Sequence, residues 1–479
     1  MKPDDPKPAA VRGVLLALLS GFLNGHAFVY GGWAALLANV PLLIALRHTR
    51  TPGRAALLGG LVGFLGGAHI YGIVDYGWLL FWAFSLYTAS QMVIYALAFL
   101  ALWKRLTPWM AVLLPAALWT LTEWIRTLGP LCMPASYAGC VADVPFLRPL
   151  LALAPYTGGL GVSTVVALTQ SVVFHLGFGE RAHRKPALWA GAVVLFACTL
   201  GLWHAPPLGD TPVEVAGVQG GLPNSVYAAA LADPAVSHQV IETYATLTRE
   251  ASKPDVDLIV WPETALRVPV LASPTLRGQL LPDANQHATL IAGLPYDADD
   301  GSHHNSAVVI RPGGVVTDRY DKVRLVLGNE STYEAGTVWR PVETPFGPVG
   351  VLICLESVYP EVGRTLTLNG AELLAVISND AGFGKSPIAH HMTNRAIIQA
   401  VENGRWLIRV GQSGISTLID PTGETHGRLD LFEHGVLRGT ARRRSDLTLY
   451  TRWGDWWMAV IGVVLAAAVW QARRREVRP

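Results

Sequence analysis

The sequence predicts a bundle of about eight membrane-spanning helices joined to a layered α/β domain. Of the 479 residues, 51% are hydrophobic and only 15% are charged, which is too apolar a composition for an ordinary soluble protein. Long apolar runs are concentrated before about residue 204, whereas strand-like and helical patterns alternate between about 205 and 455. The net charge of +2 is small and dispersed, so the composition does not indicate a nucleic-acid-binding protein.

Eight apolar runs approach or exceed the roughly 17–25 residues that cross a hydrocarbon core of about 30 Å. Seven precede the middle region and one follows it: 12–29, 31–46, 55–75, 79–102, 108–126, 156–178, 186–204 and 456–472. They predict a seven-span bundle at 10–204, an α/β domain at 205–455 and a last helix at 456–473. The first run is not predicted to be a signal peptide, because no small-residue cleavage site follows its apolar core.

Basic residues between the runs predict the orientation. If every run crosses, three basic loops and the C-terminal tail fall on one side, which the positive-inside rule makes cytoplasmic. The region 205–455 is then extracytoplasmic. The basic residues are Arg47, Arg50, Arg54, Lys104, Arg105, Arg181, Arg184, Lys185, Arg473, Arg474, Arg475 and Arg478.

The middle region contains aliphatic runs typical of buried strands, and near-continuous runs of this kind predict a sheet covered on both faces. The helical pattern His390–Gly404 ends on a glycine suited to a C-cap. The strand-like runs are Val213–Gly220, Val256–Thr264, Ala288–Tyr296, Asn305–Gly314, Gly347–Glu356 and Ala371–Asp380.

Three ionisable residues lie at the ends of such runs: Glu263 in "WPET", Lys322 in "YDKVRLV" and Cys354 in "ICLE". Strand ends are where side chains from separate segments converge in open α/β sheets. A thiol with a pKa of about 8.5 is mostly protonated at neutral pH and needs a neighbouring base or cation to react. A fixed ammonium favours the thiolate and also meets negative charge on a carbonyl oxygen. Lys322→Ala is therefore expected to reduce turnover more than folding stability.

Each residue also has a simpler interpretation. A lone cysteine on an aliphatic strand is more often a small buried hydrophobic residue than a nucleophile. The position of Glu263 is also compatible with an exposed acid that follows a strand. That of Lys322 is compatible with a solvated lysine in a loop. The three motifs in this order favour the catalytic interpretation.

These motifs, with "VAGVQG", "YEAGTVWRPVETPFG" and "SNDAGFG", resemble the carbon–nitrogen hydrolase (nitrilase) superfamily. With seven spans before that domain and one after it, the chain resembles the bacterial apolipoprotein N-acyltransferases. The resemblance implies that the α/β domain is a layered α-β-β-α fold. Further matching segments are "EWIR" (Glu123–Arg126), "GGLGVS" (Gly158–Ser163) and "VENGRWLIRVGQSGIS" (Val401–Ser416).

The resemblance implies that Cys354 is the nucleophile, Glu263 the general base and Lys322 the stabiliser of the oxyanion. It implies that a fatty acyl chain passes from a phospholipid, through a thioester on the cysteine, to the α-amino group of the diacylglyceryl-modified N-terminal cysteine of an apolipoprotein. The implied location is the bacterial cytoplasmic (inner) membrane, with the catalytic domain on the periplasmic side. Glu356 and Glu330 match two further acids, one orienting Cys354 or Lys322 and one in a loop near the cleft mouth.

Three positions depart from the family pattern. Leu355 replaces the usual Tyr, the usual Pro-Phe-Gly-Glu loop is Leu327–Gly328–Asn329–Glu330, and Gly382 replaces an aromatic residue. These positions are predicted to line the acyl-chain entrance, which leaves donor and acceptor preference open. Three alternatives therefore stand: a membrane-tethered amidase, an acyltransferase with another amine acceptor, and a non-catalytic binding module.

No metal, nucleotide or flavin motif is visible, so neither a metal site nor a cofactor is predicted. The pairs His303–His304 and His390–His391 lack carboxylates or thiols at ligand spacing. Cys132 and Cys140 lie in a predicted extracytoplasmic loop that permits a disulfide, although unlinked thiols are equally compatible with the sequence. Ionisable residues near span ends are candidates for positioning substrate: His26, His69 and Asp75.

Overall fold

The computed structural model describes residues 6–29, 31–128, 136–203, 206–253, 255–280, 288–326 and 330–476. The chain divides into two compact units. The helical unit comprises Met1–Ala205 and Trp453–Pro479, and the α/β unit comprises Pro206–Arg452.

The helical unit is built from α-helices joined by short 3-10 turns. Its α-helices are α1 (Pro6–Val29), α2 (Val40–Arg47), α3 (Pro52–Gly67), α4 (Trp78–Leu102), α5 (Pro108–Thr127), α6 (Tyr137–Ala142), α7 (Ala154–Phe178), α8 (Arg181–Trp203) and a C-terminal helix (Trp457–Glu476). Its 3-10 turns are Gly32–Leu36, Ala68–Tyr76, Trp103–Arg105 and Pro145–Leu153. Five stretches of the described residues are long and apolar enough to cross a membrane: Ala10–Val29, Pro52–Val74, Trp78–Arg105, Pro145–Phe178 and Arg181–Trp203.

The predicted span 31–46 differs from one continuous helix. It consists of the 3-10 turn Gly32–Leu36 followed by α2, whose first turn contains proline. Eight α-helical residues extend only about 12 Å, less than half of a hydrocarbon core. The segment nevertheless brings the start of α3 back beside the first half of α1. The Arg54 guanidinium of α3 lies against Gly13 of α1.

Glycines bring α3 and α4 into close contact. A methyl group on Gly59 would overlap the carbonyl of Met92, and one on Gly63 would overlap the carbonyl of Thr88. Small residues at helix interfaces allow this approach in membrane bundles.

The α/β unit contains two sheets. Its strands are β1 (Thr211–Gln219), β2 (Leu258–Val260), β3 (Thr289–Asp297), β4 (His303–Arg311), β5 (Val315–Asp321), β6 (Val349–Ile353), β7 (Leu373–Ser378), β8 (Leu407–Gly411), β9 (Ser416–Ile419), β10 (Thr425–Leu429) and β11 (Gly435–Arg443). One sheet has the order β11-β1-β2-β3-β4-β5 and the other β10-β9-β8-β7-β6. Its helices are α9 (Asn224–Ala229), α10 (Pro234–Ala251), α11 (Pro274–Leu280), α12 (Pro360–Leu368), α13 (Ile388–Asn403) and α14 (Leu449–Trp453), with 3-10 turns at Cys354–Val358 and Ala381–Phe383.

The two sheets pack face to face between helices. Alternation along β1 places Val213 and Val215 in the core between the sheets, and Ala216 and Val218 in the core beneath α10. On the outer face of the second sheet, α12 contacts β6 and α13 contacts β8. The order of layers is therefore helix–sheet–sheet–helix, which confirms the predicted α-β-β-α fold.

Each predicted strand-like run contains an observed strand, namely β1, β2, β3, β4, β6 or β7. The predicted helix corresponds to α13, and Gly404 follows it with a φ of 63°, the left-handed conformation of a glycine C-cap. The first and last strands of the unit, β1 and β11, pair antiparallel from Thr211 opposite Arg443 to Gln219 opposite Gly435.

Candidate active site

Cys354 occupies a sharp turn at the end of β6. It follows Ile353 directly and begins the 3-10 turn Cys354–Val358. Its φ is 51°, an uncommon left-handed conformation for a residue with a side chain, and the residue is buried. Thr264, next to Glu263, is also left-handed with a φ of 44°. Such conformations cluster at functional sites, where the surrounding structure enforces them.

Glu263 lies just beyond β2, with both carboxylate oxygens held by hydrogen bonds. Its Oε1 accepts from Lys322 Nζ at 2.7 Å and from Asn305 Nδ2 at 2.8 Å. Its Oε2 accepts from the backbone N–H of Asn379 at 2.9 Å. The carboxylate is therefore fixed by groups from three separate segments.

Lys322, the first residue after β5, is a fully buried cation between two acids. Its Nζ donates to Glu263 Oε1 at 2.7 Å and to Glu330 Oε1 at 2.9 Å, and none of its side chain is exposed. The structure thus brings Glu263 and Lys322 together, as predicted. It also places Cys354 within electrostatic range of both.

Glu330 belongs to the same buried cluster. Its Oε1 accepts from Lys322 and from Asn305 Nδ2 (2.6 Å), and its Oε2 accepts from the backbone N–H of Val326 at 2.6 Å. Only 9% of its side chain is exposed. The sequence predicts this residue in a loop near the cleft mouth; the structure places it in the loop between β5 and β6, beside the ammonium of Lys322.

Asn305, at the start of β4, is a member of the site that the sequence did not single out. Its Nδ2 donates to both Glu263 and Glu330, and so bridges two carboxylates that would otherwise repel each other. An asparagine inside a strand-like run is not part of a recognisable motif spacing. Only the folded structure therefore identifies Asn305 as a member of the site.

Glu356 is fully buried and connects the Cys354 turn to the segment after Lys322. Its carboxylate accepts from the Tyr320 hydroxyl (2.7 Å) and from the backbone N–H groups of Val323 (2.9 Å), Arg324 (3.2 Å) and Ile353 (2.9 Å). Burial raises the pKa of Glu356 although these hydrogen bonds oppose the rise. The predicted orienting acid therefore contacts the backbone next to both Cys354 and Lys322.

The thiol of Cys354 is protonated in the resting site. Burial raises its pKa above the ordinary value of 9.0, and the Glu263 carboxylate raises it further. The Lys322 ammonium and a hydrogen bond with Ser378 oppose this rise without outweighing it. Lys322 thus lowers the pKa of the thiol, as expected, but not enough to ionise it at neutral pH. The thiol therefore needs a base.

Glu263 and Lys322 are both charged at neutral pH. Burial disfavours the charged form of Glu263, but the Lys322 ammonium and three hydrogen bonds outweigh it and lower the pKa below 4.5. Burial also disfavours the ammonium, but Glu263, the cysteine and Glu330 raise the Lys322 pKa above 10.5. A carboxylate base therefore stands beside a neutral thiol and a permanent cation.

A second ion pair lies close to the thiol. Arg409 Nη2 and Asp380 Oδ2 are 2.6 Å apart and neither side chain is exposed. Ser378, which hydrogen-bonds with the thiol of Cys354, donates its hydroxyl to Asp380 Oδ1 at 2.6 Å. Ser378 and Asp380 belong to the quoted "SNDAGFG" segment, but their contacts could not be inferred from it.

The remaining predicted positions are placed as follows. Leu355 and Gly382 are half-buried, and His303 and His304 bond locally with Asp297 and the Glu334 carbonyl. Cys132, Leu327, Gly328 and Asn329 lie outside the described residues, as does the side chain of Asp75. Cys140 itself is a buried free cysteine.

Comparison with known proteins covers both units. Residues 228–445 match the family model of carbon-nitrogen hydrolases, and residues 20–172 match that of the apolipoprotein N-acyltransferase N-terminal domain. The apolipoprotein N-acyltransferase of Azotobacter vinelandii is 33% identical over 516 residues, covering 97% of this chain and 96% of that protein. That of Geobacter metallireducens is 29% identical over 517 residues, with the same coverage. That of Pseudomonas aeruginosa is 31% identical over 531 residues, covering 98% and 97%.

Proposed function

Because this chain belongs to the apolipoprotein N-acyltransferase family, we propose that it transfers a fatty acyl chain from a phospholipid to an apolipoprotein. The acceptor is the α-amino group of the diacylglyceryl-modified N-terminal cysteine. The chain is an integral membrane acyltransferase with a nitrilase-like α/β unit. The observation that supports the proposed chemistry is the buried Glu263–Lys322 pair beside a neutral thiol at Cys354.

Acylation begins with transfer of the thiol proton to Glu263. Among the described residues, Oε2 of Glu263 accepts only the Asn379 N–H, which leaves it a lone pair for this proton. As the proton moves, the sulfur of Cys354 attacks the ester carbonyl carbon of the phospholipid, and a C–S bond forms. The carbonyl oxygen gains a negative charge, which the Lys322 ammonium stabilises by about 2.7–4 kcal/mol, the typical value for one oxyanion donor.

Collapse of this intermediate breaks the ester C–O bond. The departing alkoxide takes the proton from Glu263, leaving a lysophospholipid and a thioester on Cys354. The α-amino nitrogen of the apolipoprotein then attacks the thioester carbonyl. A C–N bond forms, the C–S bond breaks, and Glu263 carries the proton from nitrogen to sulfur. Burial of the three residues favours amine over water, because it limits access of solvent to the thioester.

We place the chain in the bacterial cytoplasmic membrane with the α/β unit on the periplasmic side. Contacts within the helical unit support the grouping of the basic loops at one end. Arg54 lies against Gly13, and His175 hydrogen-bonds with the carbonyl of Ala111 at 3.1 Å, near the loop that carries Lys104. The positive-inside rule makes this end cytoplasmic.

The experiment that tests the function uses the purified full chain, a phospholipid and a synthetic diacylglyceryl-cysteinyl peptide. We expect the peptide to gain the mass of one acyl chain, and the same peptide with an acetylated amine to gain none. Release of free fatty acid with no peptide modification would instead show that the acyl group passes to water, as the membrane-tethered hydrolase alternative predicts. If neither product forms, the binding-module alternative is favoured. Acylation of a different amine would identify another acceptor.

The rate of acyl-enzyme formation is expected to change little with pH. Glu263 stays ionised above its lowered pKa, while the raised pKa values of Cys354 and Lys322 keep both protonated through neutral pH. We expect less than about threefold variation between about pH 6 and about pH 9 in single-turnover measurements. A preformed thiolate mechanism predicts a rise of about tenfold per pH unit below the thiol pKa, and such a slope would contradict general-base activation by Glu263.

A further inference from the structure

The helical unit contains a cavity of its own, mostly apolar in its lining but with a few polar side chains, which the proposed chemistry does not use. It is a partly open cleft between α1, α3, α4 and α5, with about 380 Å³ of empty space when the open solvent at its mouth is counted. Glycines form one wall, because Gly63, Gly66 and Gly67 have no side chains to fill the space. Arg126 and Gln91 supply its unpaired polar groups.

Arg126 is a buried cation whose donors lack partners. Only 7% of the residue is exposed, yet its Nε and Nη2 have no hydrogen-bond partner among the described residues. Its nearest acid is Glu123, whose Oε2 is 3.8 Å from Nη2, beyond hydrogen-bond distance. Glu123 and the Trp119 ring, 5.3 Å from the guanidinium carbon, stabilise the cation, but its unfilled donors favour a further hydrogen-bond acceptor in the cavity.

Glu123 is not that group, because neutral donors already hold its carboxylate. Oε1 accepts from the Ser163 hydroxyl at 2.6 Å. Oε2 accepts from Trp119 Nε1 at 2.9 Å and from the backbone N–H of Tyr137 at 3.5 Å. Glu123 balances the charge of Arg126 at 3.8 Å, but the Nε and Nη2 hydrogens of Arg126 remain available to a ligand in the cavity.

Gln91 adds a third unpaired donor. The residue is 5% exposed, and its Nε2 has no hydrogen-bond partner among the described residues. The hydroxyls of Thr88 and Thr122 also line the cavity and donate to backbone carbonyls, Thr88 to Gly63 of α3 or within α4, and Thr122 within α5. The unpaired groups of Arg126 and Gln91 are thus all donors, a pattern that selects an oxygen-rich anion.

Arg126 also lies at a suitable depth for a lipid headgroup. It is the last residue but one of α5, whose start follows the basic residues Lys104 and Arg105. Eighteen helical residues extend about 27 Å, close to the thickness of a hydrocarbon core. The guanidinium is therefore at the level of phosphates at the end of the bundle opposite the basic loops.

We propose that this cavity binds a phosphate group, held by the guanidinium of Arg126 and the side-chain amide of Gln91. The planar fork of arginine matches two phosphate oxygens, and charge-assisted hydrogen bonds of this kind are the stronger class. The phosphate belongs either to a membrane lipid or to inorganic phosphate from solution. None of the residues that line the cavity takes part in a step of the proposed reaction, so binding can be measured without turnover.

The test compares two lipids with identical alkyl chains, a dialkyl-ether phosphatidylglycerol and the dialkylglycerol without phosphate. Ether chains have no acyl ester, so neither probe can be consumed by turnover. Native mass spectrometry of the full chain in detergent is expected to show tighter binding of the phosphate lipid. Arg126→Gln is expected to weaken that binding about tenfold or more, and Gln91→Leu to weaken it to a smaller extent.

Arg148→Gln is the matched control, because it removes one positive charge from the helical unit outside the cavity. It is expected to leave the phosphate-lipid preference unchanged. Calorimetry with inorganic phosphate identifies the source of the phosphate. If inorganic phosphate binds in an Arg126-dependent way and the protein shows no preference between the two lipids, the site binds phosphate from solution. If the binding of both the phosphate lipid and inorganic phosphate is independent of Arg126 and Gln91, the cavity holds water only and the proposal is wrong. If Arg126→Gln does not fold, Gln91→Leu and Arg126→Lys decide the same question.

Discussion

Replacing Cys354 by alanine is expected to abolish both the acyl-enzyme and acyl transfer while leaving the fold intact. No other group in the cluster can form the thioester, so turnover should fall by a factor on the order of 10⁴ or more. Alanine adopts the left-handed conformation at this turn with the same strain as cysteine, because both have a Cβ. Intact-protein mass spectrometry with phospholipid should show a hydroxylamine-labile acyl mass on the wild type and none on Cys354→Ala.

Cys198→Ala is the control for this measurement. Cys198 lies in α8 and is half-buried, so it is a thiol of the same chain outside the α/β unit. Its loss should leave the acyl mass and the transfer rate unchanged. An acyl mass that persists on Cys354→Ala would place the thioester elsewhere and overturn the assignment.

Lys322→Met is expected to reduce both activity and stability. Activity falls by about 10²–10³-fold because the oxyanion loses its ammonium partner. Stability falls as well, because Glu263 and Glu330 are left buried without their cation, and removing one partner of a buried ion pair costs about 3–5 kcal/mol. The sequence alone predicted that turnover would suffer more than folding; full burial of Lys322 adds a stability cost to that expectation. Thermal unfolding and single-turnover acylation measure the two effects separately.

Two further variants separate charge loss from general damage. Lys253→Met removes an exposed lysine of the same unit and should change neither quantity. Adding Glu330→Gln to Lys322→Met removes one uncompensated charge, so it should restore part of the stability and none of the activity. A Lys322→Met protein with wild-type acylation would show that Lys322 does not stabilise the oxyanion.

The nearly continuous aliphatic runs and the helical pattern that ends on Gly404 predicted a layered α/β unit, and the resemblance implied its α-β-β-α order. It predicted Glu263, Lys322 and Cys354 as candidates because each stands at the end of such a run. These features are local, so they can be read without knowing which strands pair.

The supporting contacts could not be predicted, because they join residues that are far apart in the chain. Asn305 is 42 residues from Glu263 and 25 from Glu330, and it contacts both through one amide nitrogen. The contacts of Glu356 are largely to backbone N–H groups, which any sequence supplies. The span 31–46 was predicted from hydropathy alone. Hydropathy does not detect the break between its 3-10 turn and α2.

Pairing of β1 with β11 makes the α/β unit a closed insertion in the polypeptide. Thr211 lies opposite Arg443, so the chain arrives and departs on neighbouring strands, which are about 5 Å apart in any sheet. Residues 444–452 still pack on the unit, so residues added before Pro206 or after Arg452 would lengthen a tether without shifting the register of either sheet. Recombination or protein engineering could therefore exchange the α/β unit as a whole through junctions at its two ends.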